Sequence, residues 1–113
     1  MTITRTPGNP GRSQIVEYNG MVMCVGTAPD TSQGMKGQTQ QVLAKIDEYL
    51  ATAGTDKSKL LNAMIYITDM DKWEEMQEAW MEWVDPDNCP TRACVQAVLA
   101  NDFLVEIVAT AGK

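Results

Sequence analysis

The chain's 113 residues suffice for one hydrophobic core and leave no room for a second domain. Fifteen acidic residues against nine lysines and arginines give a net charge of −6, and the basic residues form no run. Nucleic acid and anionic membrane surfaces are therefore poor partners. Histidine is absent, which removes Ser-His-Asp and Cys-His catalysis and any imidazole-held metal.

A short first strand is followed by the irregular loop Pro7-Gly8-Asn9-Pro10-Gly11. Ser13–Tyr18 and Met21–Val25 read as a hairpin, with Asn19-Gly20 supplying its positive-φ turn. Residues 26–34 carry loop chemistry. Val42, Leu43, Ile46, Tyr49, Leu50 and Ala53 recur at helical spacing, which predicts a helix over Met35–Ala53 that Gly54 terminates. Leu60–Thr68 reads as a strand. Asp71 and Glu74 have the spacing of a capping box, and Trp73, Met76, Trp80 and Val84 form the apolar stripe of a second helix. Asp85-Pro86-Asp87-Asn88 ends it. Thr91–Val98 and Phe103–Thr110 read as a closing hairpin turned near Asn101-Asp102.

The order β-β-α-β-α-β-β in one 1–113 domain predicts an α+β fold with a mixed sheet. Right-handed crossovers put both helices on the same face. Several strands are apolar on both sides, so the uncovered face calls for a second copy of the chain, a homo-oligomer with sheets meeting face to face. The N-terminal residues lack the apolar core of a signal peptide, and no stretch approaches the length of a membrane span. Cys24, Cys89 and Cys94 are an odd number at no redox or zinc spacing. Reduced thiols in a soluble, cytoplasmic protein are the expectation.

The closing strands hold the unusual residues. Strand alternation puts Arg92, Cys94 and Gln96 on one side, and Glu106 interrupts an otherwise apolar run. In a tight hairpin Glu106 would lie opposite Cys94, with Arg92 on the diagonal. Two readings follow. A cross-strand Arg92–Glu106 ion pair would account for both residues without any activity. Alternatively, the Arg92 guanidinium offers a donor fork to a ligand carboxylate while Glu106 positions a water or moves a proton. Cys94 has no histidine to activate it and suits a wall better than a nucleophile.

The run Cys89-Pro90-Thr91-Arg92-Ala93-Cys94-Val95-Gln96-Ala97, followed by Val105-Glu106-Ile107, resembles the signature of the RidA (YjgF-type) reactive intermediate deaminase family. Gln40 to Asp47, Ala53 to Ser58 and Trp80 to Trp83 resemble its first helix, the following turn and the end of its second helix. The resemblance implies a chorismate-mutase-like fold assembled as a homotrimer with clefts between subunits. It implies hydrolysis of enamines and imines such as 2-aminoacrylate to 2-keto acids and ammonia, with no metal or organic cofactor. By position, Arg92 would hold the substrate carboxylate and Glu106 would orient water. Gly26 and the Cys94 backbone would line the cleft. Two positions depart from the best-known members: Gln77 stands where many have Asn, and the Arg12-Ser13 region replaces a tyrosine. A non-catalytic module binding small carboxylates or proteins in the same clefts is the alternative. An RNA-cleaving enzyme fits poorly with the acidic, histidine-free composition.

Overall fold

A computed structural model describes residues 2–113. The strands are β1 (Thr4–Pro7), β2 (Ser13–Tyr18), β3 (Met21–Gly26), β4 (Leu60–Ile67), β5 (Thr91–Gln96) and β6 (Val105–Gly112). The helices are α1 (Met35–Thr52), between β3 and β4, and α2 (Trp73–Trp83), between β4 and β5. All six strands form one sheet in the order β1-β2-β3-β6-β4-β5. The β4–β5 pair is parallel and the other pairs are antiparallel.

The β2–β3 hairpin turns at Asn19 and Gly20, with φ of 52° and 75°, the left-handed pair that matches strand twist. Both helices cover one face. Lys36 of α1 reaches Glu78 and Glu82 of α2, and the Trp83 indole donates to Asp47 at 2.9 Å. Between helices and sheet lie Val42, Leu43, Ile46, Leu50 and Met76, packed on Ile15, Val22, Ile65, Ile67, Val105 and Ile107. The other face is open and apolar: Met21, Met23 and Val25 of β3 are each more than 40% exposed, as is Leu61. Among the described residues, no helix is long and apolar enough to cross a membrane.

Three local expectations are corrected. A 3-10 turn over Met70–Lys72 precedes α2, and its cap is Asp69, whose carboxylate accepts the Asp71 N–H at 2.9 Å; no Asp71–Glu74 capping box forms. The last two strands are not a hairpin, because β6 lies between β3 and β4 while β5 takes the sheet edge. Val105, Ile107, Ala109 and Ala111 are at most 1% exposed, a run that needs neighbours on both sides. In β5 no residue is fully buried, which suits an edge. Its boundary is also shorter than expected, ending at Gln96, and residues 97–104 form a loop.

Candidate active site

Arg92 and Cys94 register with Ala63 and Ile65 of β4, both buried under the helices, so their side chains point toward the helix layer. There α2 presents Trp73, Gln77 and Trp80, spaced i, i+4, i+7 on one stripe. The Arg92 Nη1 donates to Gln77 Oε1 at 2.7 Å. Its Cζ stands 5.2 Å from the Trp80 ring centroid and 5.9 Å from that of Trp73. Among the described residues Arg92 makes no salt bridge.

The Arg92–Glu106 ion pair is therefore not formed. Glu106 registers with Tyr66 and alternates with buried Val105 and Ile107, which turns its half-buried carboxylate to the open face. Strand β4 separates it from β5, and three residues of register add to the offset. The two Cα atoms are about 14 Å apart on sheet spacing alone, with side chains on opposite faces. Glu106 does not lie opposite Cys94 either, since both are paired to β4 from different sides.

The remaining candidates sort with one or the other. Gln77 joins Arg92. Gly26, at the end of β3, pairs with Ile107 and so adjoins Glu106. A Cβ on Gly26 would come within 3.0 Å of Val42 Cγ1 and the Val42 carbonyl oxygen, so α1 packs directly on that backbone. Arg12 lies exposed in the β1–β2 loop, at the same sheet end as Gly26. One chain thus carries two separate groups: Arg92, Cys94 and Gln77 at the β5 edge, and Glu106, Gly26 and Arg12 across β6, β3 and the β1–β2 loop, on the other side of β4.

Burial pushes the Cys94 thiol up, and the nearby Arg92 charge offsets this only in part. Cys94 is thus a neutral thiol near neutral pH, not an activated nucleophile. Beside the end of β5 opens a groove of about 730 Å³, bordered by Thr31, Thr68, Gln96, Val98, Asp102 and Phe103.

Sequence reasoning missed Gln38, which is fully buried in α1. Its amide donates to the carbonyls of Thr31, Gln33 and Asp102 at 3.1–3.4 Å, and its oxygen accepts the Leu104 N–H at 2.9 Å. It thereby ties two loops beside the groove. The available signal was its position one turn before Val42 and two before Ile46, an amide on the apolar stripe.

The family model described as endoribonuclease L-PSP matches residues 8–113. The chain belongs to this family. The YjgF and RutC names mark the same L-PSP group among its relatives. A RutC family protein from Haemophilus ducreyi is 47% identical over 111 residues, covering 96% of this chain and 95% of its own. RutC family protein YoaB of Escherichia coli is 34% identical, covering 95% of each chain. A crystallised YjgF family member from Neisseria meningitidis superposes with a TM-score of 0.94 at 40% identity, covering 100% of this chain and 96% of the other. The fold is thus shared with that relative over the whole of this chain.

Proposed function

We propose that the protein hydrolyses reactive imines and enamines of the 2-aminoacrylate type to 2-keto acids and ammonia. Membership of the YjgF/RutC family supports a role related to reactive intermediate deamination. The observation that carries the finer reading is Arg92, a half-buried cation without an acidic partner in a chain holding fifteen acids. A guanidinium so placed offers its free N–H groups to a planar carboxylate.

With the 2-imino acid held by its carboxylate, water adds to the imine carbon to give a carbinolamine. A proton moves from oxygen to nitrogen, the C–N bond breaks, and ammonia leaves a ketone behind. The imine carbon is already electrophilic, so positioning and charge placement supply the acceleration. Glu106 is the group assigned to orient the water. In one chain it lies on the wrong face to reach a substrate on Arg92, so a neighbouring copy supplies it. The open apolar face of β3, β6 and β4 is where that copy docks, in a homo-oligomer whose clefts join the two groups of residues. Gly26 and Arg12 border the Glu106 side of the cleft, and Gln77 and the Cys94 backbone border the Arg92 side.

A non-catalytic carboxylate binder is the second reading, favoured by the completeness of the Arg92 group within one chain. An amino-acid oxidase generating imines, with semicarbazide trapping what survives, separates the two. The native protein should lower the semicarbazone yield. Arg92→Ala should lose at least about a hundredfold in rate with its oligomer intact. Undiminished hydrolysis in that variant refutes the assignment, and ligand binding without any turnover leaves the binder.

A further inference from the structure

We infer that Gln77, Trp73 and Trp80 are positioning residues that immobilise Arg92 without neutralising it, and that the uncharged side chain at position 77 is what keeps the site open to a carboxylate. The inference rests on the carboxylate-binding reading of Arg92 and goes beyond it, since it concerns how the cation is kept available.

Every group that holds the guanidinium is neutral. One N–H is taken by the Gln77 amide oxygen at 2.7 Å. Two indole rings lie within the range at which an aromatic face attracts a cation. A flexible arginine would otherwise lose rotamer freedom when it met its ligand, and fixing it beforehand removes that cost from binding. The usual fixing partner is a carboxylate, which would occupy the donor fork and cancel the charge. Here α2 avoids this although it carries Glu74, Glu75, Glu78 and Glu82. Glu78 and Glu82 are drawn instead to Lys36 of α1, and Glu75 to Lys72. The stripe 73–77–80 that faces β5 holds no acid at all. Trp80 is buried and Gln77 half-buried, so both are set by packing before any ligand arrives.

Gln77→Glu is the decisive substitution, because it keeps the shape and the acceptor oxygen and adds only a charge. Pyruvate serves as the probe, titrated calorimetrically into the native oligomer and into Gln77→Glu, Trp73→Phe, Trp73→Leu and Arg92→Ala. Gln77→Glu should retain or raise the melting temperature while weakening pyruvate binding at least about tenfold. Trp73→Phe keeps a π face and should bind within about threefold of the native protein, whereas Trp73→Leu should bind more weakly than Trp73→Phe. Native affinity in Gln77→Glu, with Arg92→Ala unable to bind, overturns the inference while leaving the carboxylate reading in place. Unchanged pyruvate binding in Arg92→Ala overturns the carboxylate reading itself. Equal affinities for Trp73→Phe and Trp73→Leu remove the aromatic part of the proposal.

Discussion

Cys24 pairs with Ile15 of β2 and Ala109 of β6 on the helix side of the sheet, where burial pushes its thiol from the ordinary 9.0 to about 11. Below pH 9 the thiol is neutral in both folded and unfolded chains, and its burial costs nothing in charge. As pH rises from 9 to 11 the unfolded chain ionises first, so stability falls across that window by about 2–3 kcal/mol. Urea midpoints at pH 8 and pH 10.5 should show this drop in the native protein and a smaller one in Cys24→Ala. Cys94 differs in consequence: its raised thiol predicts that Cys94→Ala keeps imine hydrolysis within about threefold, since no thiolate takes part. A collapse of turnover with the fold intact would return Cys94 to the list of reacting groups. Both thiols were visible in the sequence, but the absence of histidine spoke only to activation, and burial depends on neighbours distant along the chain.

At the scale of elements, α1 is held close to β3 by the missing side chain of Gly26. Gly26→Ala pushes a methyl against the Val42 carbonyl, which cannot swing away, and should cost about 1–3 kcal/mol in denaturant unfolding. The same spacing argument that located α1 also located Gly54, whose φ of 80° is a left-handed helix terminus. It located α2 too, but the capping-box reading placed its cap at Asp71 instead of Asp69. The 3-10 turn before the helix selects Asp69, and that turn leaves no periodic trace in three residues. The C-terminal end of α2 is also satisfied from afar: Lys57 donates to the Trp83 carbonyl at 2.6 Å, and its ammonium lies 5.1 Å from the Trp83 ring centroid. Gln38→Leu should strip the amide from four backbone groups, costing about 2–4 kcal/mol and speeding exchange of the Leu104 amide.

For the whole molecule, the insertion of β6 decides what the proposed site can be. It parts Arg92 from Glu106 and leaves each with its own companions, so a mixture of two inactive variants should be informative. Arg92→Ala and Glu106→Gln, unfolded together and refolded as mixed oligomers, should regain part of the imine hydrolysis that neither shows alone. No recovery in oligomers proven to be mixed would mean that the two residues do not meet across an interface. Val108→Lys, on the open face beside Met64 and Val25, should give a monomer by sedimentation and abolish turnover, because it places a charge where the proposed homo-oligomer would pack a second copy.

Apolar periodicity, turn residues and glycine positions determined the elements and their order, because these are properties of neighbours along the chain. The same alternation correctly grouped Arg92 with Cys94, and the surplus of apolar strand faces over helices correctly predicted an uncovered sheet face. Which strand lies beside which was decided only in three dimensions. Pairing β6 with β3 and β4 buries its whole inner face at the centre, a gain larger than any tight turn between β5 and β6 offers. That choice ruled out the ion-pair reading and left an unpaired cation and a distant carboxylate. Strand pairing is a competition among all the edges of the sheet, and no local pattern of residues records its outcome.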